Sequence, residues 1–137
     1  MANVLFLEPN ILLAQAYAQA LTLAGHTVRV VQGAQEAIHA ADTALPDIVL
    51  LELQLPAHNG IEFLHEFRSY PEWQHIPAVV NTALHPVRIQ AARQVLEEEL
   101  GVVDVLYKPT ATLADICEAV RTYGAGVAGG LYPGSAS

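Results

Sequence analysis

The chain has 137 residues, of which 53% are hydrophobic and 15% are charged, and its formal net charge is −8. This length and composition favour one well-packed domain with a large aliphatic core, and they exclude a disordered segment. The six Arg and Lys residues are scattered singly along the acidic chain, so the domain lacks the basic surface that nucleic-acid backbones require.

The cysteine count and the start of the chain limit the compartment. Cys117 is the only cysteine, so an intrachain disulfide is excluded. Glu8 and Pro9 interrupt the first apolar run too early for a secretory signal. No apolar run reaches the length that crosses a bilayer. The sequence therefore predicts a cytoplasmic protein.

The first half of the chain alternates short apolar runs with segments of helical spacing. Residues 4–7 and 47–51 predict buried strands, and residues 27–31 predict a shorter β-branched strand. Helices are predicted between them, at residues 11–24 and 34–41. The order of this half is therefore β-α-β-α-β.

The second half continues the same alternation. The remaining helices and strands are predicted, in order, at residues 61–69, 78–82, 86–100, 102–107 and 113–123. Asn10 and Thr112 are placed to cap the first and the last helix, and Pro86 is placed as the first residue of the fourth.

Five strands alternating with five helices predict an α/β fold with a doubly wound parallel sheet, because parallel neighbours need crossover connections. The predicted domain covers residues 1–123. Residues 124–137 are rich in Gly and Ala and predict a flexible tail or linker.

Three of the predicted strands end in a charged residue. Glu8 follows the first strand, Glu52 follows the third, and Lys108, the only lysine, follows the fifth. Ligand sites of open parallel sheets lie at the carboxyl ends of the strands. The sequence therefore predicts that two carboxylates and one ammonium share one site.

Several motifs in order resemble the receiver domain of two-component response regulators, from Val4 to about Tyr123. They are the first strand with its acid at residues 4–8, the strand and loop at residues 46–56, the turn at residues 59–62, the strand at residues 76–83, and Tyr107-Lys108-Pro109. The resemblance implies a flavodoxin-like sheet of strand order 2-1-3-4-5 and a role in a phosphorelay.

In receivers, an aspartate takes a phosphoryl group from a histidine kinase, aided by a divalent ion held by acidic residues after the first strand. A lysine contacts the phosphoryl oxygens, and a Ser or Thr hydroxyl moves toward them. By resemblance, Glu52 stands at the acceptor position and Glu8 and Pro9 at the acidic pair. Thr82 stands at the hydroxyl and Lys108 at the lysine.

Three departures from the receiver pattern bear on function. Glu52 carries its carboxylate one methylene, roughly 1.5 Å, farther out than aspartate would, and misplacement by about 1 Å can slow a reaction on the order of a hundredfold. Pro9 removes a carboxylate, so Glu8, Glu52 and Gln54 form a weak or absent Mg²⁺ site. Val105 replaces the aromatic switch residue that receivers usually carry three residues before the lysine.

These departures predict a degenerate receiver, or pseudo-receiver, that is not an enzyme, needs no cofactor and holds a standing ion pair between Glu52 and Lys108. One alternative is a receiver that accepts phosphate in an altered geometry. Another is a constitutively active one in which Glu52 imitates the phosphorylated state. A nucleotide-binding enzyme is disfavoured because no Gly-rich loop follows the first strand.

The predicted partners are proteins: a histidine kinase, another regulator or an output domain, with no direct nucleic-acid or membrane contact. The resemblance also makes a homodimer possible through the face of the fourth helix, fifth strand and fifth helix. His58 and His85 follow the third and fourth strands, but their spacing matches no compact zinc motif, and solvated loop histidines are the preferred interpretation.

Overall fold

The computed structural model of the chain describes residues 1–128. Its strands are β1 (Asn3–Leu7), β2 (Thr27–Val31), β3 (Ile48–Leu51), β4 (Ala78–Thr82) and β5 (Val102–Tyr107). Its α-helices are α1 (Ile11–Leu23), α2 (Ala34–Thr43), α3 (Gly60–Arg68), α4 (Pro86–Gln94) and α5 (Leu113–Ala128). The predicted alternation of strands and helices is confirmed.

The five strands form one parallel sheet in the order β2-β1-β3-β4-β5. This is the doubly wound, flavodoxin-like order that the sequence predicts. Leu7 of β1 lies in register with Leu51 of β3, and Thr82 of β4 with Tyr107 of β5. The residues that follow these strands therefore leave the sheet along one edge.

Alternate strand residues face two different core layers, because successive side chains of a strand point to opposite faces. On one face, Leu7, Val49 and Leu51 pack in a cluster that includes the buried side chains of α2, α3 and α4. On the other, Phe6 and Leu50 pack in a cluster that includes those of α1 and α5. Since both faces are covered, the central strands read in the sequence as continuous apolar runs.

The predicted helix caps are confirmed. Asn10 Oδ1 accepts a hydrogen bond from Leu13 N at 3.0 Å at the start of α1. Thr112 Oγ1 accepts one from Asp115 N at 3.1 Å, and the Asp115 carboxylate accepts one from Thr112 N at 2.9 Å. These side chains satisfy backbone donors that the first turn of a helix leaves without partners.

The fourth helix ends in a wider turn than the sequence predicts. α4 begins at Pro86, as expected, but its α-helical part ends at Gln94, and a π-helical turn covers Val95–Glu99. The turn closes with a hydrogen bond from Leu100 N to Val95 O at 3.0 Å, and Gly101 then adopts a φ of 68°. This turn is the last part of the segment predicted at residues 86–100.

The fifth helix is longer than the sequence predicts. It extends five residues past Tyr123, so residues 124–128 are helical. Gly124 lets this part of the helix pack closely against its neighbours: a Cβ at this position would lie 3.0 Å from Ala2 Cβ and 3.3 Å from Ile48 Cγ2. The rest of the predicted tail, residues 129–137, lies outside the described residues. Within residues 1–128, no helix is both long and apolar enough to cross a membrane.

Candidate functional site

The backbone brings Glu8, Glu52 and Lys108 to one edge of the sheet. Each of them continues the backbone hydrogen bonding of its strand by one residue: Glu8 N donates to Val31 O at 2.9 Å, Glu52 N to Leu7 O at 3.0 Å, and Lys108 N to Thr82 O at 2.8 Å. The three charged side chains therefore start from positions fixed by the sheet itself.

The side chains of these three residues form an ion triad in which both carboxylates are buried. Lys108 Nζ lies 2.7 Å from Glu8 Oε1 and 2.7 Å from Glu52 Oε1. Glu8 is 2% exposed and Glu52 is 3% exposed. The predicted ion pair between Glu52 and Lys108 is present, and Glu8 shares the same ammonium.

Glu52 accepts four hydrogen bonds, two at each carboxylate oxygen. Oε1 accepts from Lys108 Nζ and, at 3.1 Å, from the backbone amide of Ala83. Oε2 accepts from the backbone amide of Gln54 at 3.0 Å and from the hydroxyl of Thr82. A carboxylate offers about four lone-pair positions, so this one is saturated.

Glu8 is held at both oxygens as well. Oε1 accepts from Lys108, and Oε2 accepts from Asn10 N at 2.9 Å. A buried carboxylate is costly unless it is paired and hydrogen-bonded, and both carboxylates of the triad meet that condition. The triad therefore carries one net negative charge that is spread over satisfied groups.

The triad shifts the pKa of two of its members toward their charged forms. Burial raises the pKa of Glu52, but hydrogen bonds from Lys108, Thr82 and Gln54 lower it, and the balance is below the ordinary value. Burial likewise lowers the pKa of Lys108, whereas its contacts with Glu52 and Glu8 raise it, and the balance is above the ordinary value. Both groups are therefore charged at neutral pH.

The residues present do not fit the divalent ion that the resemblance implies. The two oxygens that could face such an ion, Glu8 Oε1 and Glu52 Oε1, both hold the Lys108 ammonium. Gln54 contacts the triad through its backbone N–H, which donates to Glu52 Oε2, and an N–H is not a cation ligand. Within residues 1–128, no group of three His, Cys, Asp or Glu side chains is arranged to hold a metal ion.

The other predicted positions make contacts outside the triad or are exposed. Pro9 is half-buried, and its carbonyl accepts a hydrogen bond from Gln32 Nε2 at 3.2 Å. Val105 is half-buried beside a cavity of about 70 Å³ between α4 and β5, which Thr82 and Ile89 also line. His58 is exposed, and His85 caps α4 by accepting from Val87 N at 3.1 Å.

Asn81 is a buried polar residue that the sequence reasoning missed. It is 1% exposed, and neither its Nδ2 nor its Oδ1 has a hydrogen-bond partner among residues 1–128. It directly precedes Thr82 and lies in register with Leu106 of β5. The signal was present, since an asparagine interrupts an otherwise apolar strand. The amide donors of Gln54 and Ala83 left no comparable signal, because every residue except proline supplies an N–H.

The match to a known family agrees with this fold and this edge of the sheet. Residues 4–121 match the response regulator receiver domain. The chain belongs to the receiver domain family of response regulators. The match covers the whole described sheet except Asn3, together with most of α5. The receiver's role therefore lies in two-component signalling.

Two curated relatives carry a domain similar to this receiver. It is 30% identical over 109 residues to the KDP operon transcriptional regulatory protein KdpE of Escherichia coli strain K12, across 80% of this chain and 45% of that protein. It is 30% identical over 128 residues to a protein-glutamate methylesterase/protein-glutamine glutaminase of Cereibacter sphaeroides, across 86% of this chain and 34% of that protein. The receiver thus spans less than half the length of either relative.

A solved structure supports the fold independently. The signal receiver domain of a signal transduction histidine kinase from Syntrophus aciditrophicus superposes with a TM-score of 0.80 at 20% sequence identity. The alignment covers 93% of this chain and 92% of that one. At this level of identity the likeness concerns the fold alone.

Proposed function

We propose that this protein is a degenerate receiver whose Glu52 does not accept a phosphoryl group, and that it signals by binding other proteins without catalysing a reaction and without a cofactor. The observation that carries the proposal is the saturation of the Glu52 carboxylate by Lys108, Thr82 and two backbone amides. The proposal includes a cytoplasmic location and no direct contact with nucleic acid.

A saturated carboxylate is a poor nucleophile. Attack on phosphorus needs a free lone pair aimed in line with the leaving group, and each oxygen of Glu52 already accepts two hydrogen bonds. Freeing one lone pair means breaking a hydrogen bond to a buried charged group, which costs about 1.5–3 kcal/mol. The extra methylene of Glu52 adds misplacement to that cost.

Phosphodonor labelling tests the proposal. Wild-type protein is incubated with acetyl phosphate and Mg²⁺, and its intact mass is measured. We expect no added phosphoryl group. The doubly substituted variant Pro9→Asp with Glu52→Asp is the matched comparison, because it shortens the acceptor and adds the missing carboxylate. Efficient labelling of the wild-type protein on Glu52 would overturn the proposal.

Protein binding is the remaining route to a signalling role. The face formed by α4, β5 and α5 exposes one large apolar side chain on each element: Val87 is 72% exposed, Val103 is 42% exposed and Leu113 is 43% exposed. The partner that we propose is a kinase, another regulator, an output domain or a second copy of this chain. Sedimentation of wild type and of Val103→Asp tests the homodimer, which predicts a dimer that the substitution dissociates.

A second candidate function is a permanently activated receiver. Thr82 and Lys108, the groups that receivers direct at the phosphoryl oxygens, both contact Glu52. Against this reading, Val105 has no ring to move when Thr82 is drawn in. Amide chemical shifts of residues 84–107 in wild type and in Glu52→Ala separate the two. A mimic predicts shifts that spread through α4 and β5, whereas a structural pair predicts shifts confined to the neighbours of Glu52.

A further inference from the structure

We infer that the Lys108 ammonium is the resident cation of this site and that it excludes a divalent ion, so that the two glutamates form a latent metal site which opens when the lysine charge is removed. The inference deepens the proposed function, on which it rests in taking the site as silent in phosphoryl transfer. It concerns which cation the site holds, and it is tested without any phosphodonor.

The position of the ammonium carries the first step. A single nitrogen lies 2.7 Å from an oxygen of Glu8 and 2.7 Å from an oxygen of Glu52, and the two glutamates are 97% or more buried. The two carboxylates therefore converge on one point, and a cation already occupies it. A metal ion bound by the same pair of oxygens would need that point.

The summed charge of the three groups favours a single cation at this point. The two carboxylates and the ammonium sum to one net negative charge. A divalent ion added beside the ammonium would face a like charge at close range in a buried site, where repulsion is strong. A divalent ion in place of the ammonium would leave the site neutral. Lysine and metal are therefore alternatives at this point.

The remaining oxygens explain why the lysine prevails in the wild-type chain. Glu8 Oε2 is held by the amide of Asn10, and Glu52 Oε2 is held by Gln54 and Thr82. Pro9 supplies no third carboxylate. Mg²⁺ needs near-octahedral oxygen ligands and gives up its water reluctantly, so two oxygens that a tethered cation already holds offer it little.

The test is a metal titration of wild type and Lys108→Met, which keeps an unbranched side chain out to Cε and removes the ammonium. The melting temperature is followed as MgCl₂ or MnCl₂ is added after EDTA treatment. We expect no saturable change for wild type. We expect a lower melting temperature for Lys108→Met without metal, a saturable rise of several degrees with either ion, and an apparent affinity at least tenfold tighter than that of wild type.

Two controls isolate the site. Arg88→Met removes the same charge from an exposed position on α4, and we expect it to behave like wild type. Lys108→Met combined with Glu8→Gln removes one of the two metal-facing carboxylates, and we expect the metal response to disappear. A response of Arg88→Met equal to that of Lys108→Met would mean that overall charge explains the effect, and it would overturn the inference.

Binding of Mn²⁺ to wild type gives a measurement that does not depend on the variant folding. Paramagnetic broadening of the Gln54 and Ala83 amide signals at submillimolar Mn²⁺ would overturn the inference, and its absence supports it. A folded Lys108→Met that ignores both ions would overturn it as well. If wild type binds Mn²⁺ and still resists labelling by acetyl phosphate, the inference fails, whereas the proposal that Glu52 accepts no phosphoryl group stands.

Discussion

The hydroxyl of Thr82 donates a hydrogen bond to Glu52 Oε2, and both side chains are buried. The Thr82 oxygen in turn accepts one from Leu84 N at 3.1 Å. The hydroxyl thus links the end of β4 to the acceptor position on β3 and to the loop before α4. Through its two hydrogen bonds, Thr82 connects the triad to the α4 region.

Replacing Thr82 by Val tests how much these two hydrogen bonds stabilise the protein. The substitution keeps the shape of the side chain but removes both hydrogen bonds, one of them to a charged group, so we expect a loss of about 2 kcal/mol in the free energy of unfolding. Urea denaturation measures it. Thr82→Ser keeps the hydroxyl and serves as the control, with an expected loss smaller than that of Thr82→Val. Equal stability of Thr82→Val and wild type would show that the hydroxyl contributes nothing.

Replacing Asn81 by Leu should stabilise the protein. Both polar atoms of Asn81 are buried and have no hydrogen-bond partner within residues 1–128, and an apolar side chain of similar size removes that penalty. We expect a gain of about 1 kcal/mol in the free energy of unfolding. Thermal and urea denaturation check the sign. A clear loss of stability would indicate that the amide is satisfied by a bound water, and a crystal structure would then reveal it.

Most of the fold could be predicted from the sequence, for a physical reason. Residues 4–7 and 48–51 are buried on both faces, so each is an uninterrupted apolar run that ends at a glutamate. The triad could therefore be predicted from Glu8, Glu52 and Lys108. The extension of α5 could not. Glycine is a poor helix former, and only the fold shows that a Cβ at Gly124 would crowd Ala2 and Ile48.

The saturation of Glu52 was also beyond the sequence. Two of its four donors are backbone amides, which every residue except proline supplies, and only the folded loops after β3 and β4 aim them at the carboxylate. The π-helical turn at Val95–Glu99 left no clear pattern either, since its residues continue the spacing of α4.

Gly60 is predicted to be required for the loop that carries Glu52. A Cβ at Gly60 would lie 2.7 Å from Leu53 Cα and 3.0 Å from Glu52 O, so the backbone beside the acceptor position would have to move. We expect Gly60→Ala to lower the free energy of unfolding by about 2 kcal/mol.

Gly33→Ala is the matched control for Gly60→Ala. Its nearest atom would be Glu36 Oε1 at 3.9 Å, so no backbone has to move. Gly33 is an N-cap, so we expect Gly33→Ala to lower the free energy of unfolding by less than about 1 kcal/mol. Equal effects of the two substitutions in urea denaturation would refute the steric argument at Gly60.

The triad should make stability depend on pH at both extremes. The pKa of Glu52 is lowered in the folded state, so its contribution is present above the ordinary value of 4.5 and is lost as the pH falls through the folded value. The pKa of Lys108 is raised, so its contribution is present below the ordinary value of 10.5 and is lost as the pH rises through the folded value.

Substitution of the acceptor position tests the acid side of this dependence. Glu52→Gln should flatten the decline of stability below pH 4.5, because the titrating carboxylate is gone. Glu72→Gln, at an exposed position away from the triad, is the control and should leave the decline unchanged. Denaturant unfolding from pH 3 to pH 7 provides the curves. Parallel curves for wild type and Glu52→Gln would mean that the pKa of Glu52 is not lowered in the folded protein.

Under the proposed function, the Glu52 carboxylate has no lone pair free to form a bond to an incoming phosphoryl group. Beryllofluoride tests this most directly, because it attaches to a receiver's acceptor carboxylate without requiring a turnover. Fluorine NMR of the wild-type protein with beryllofluoride and Mg²⁺ should show no protein-bound resonance, whereas the variant that combines Pro9→Asp with Glu52→Asp should show one. A stoichiometric bound resonance from the wild-type protein, lost in Glu52→Gln, would contradict the account.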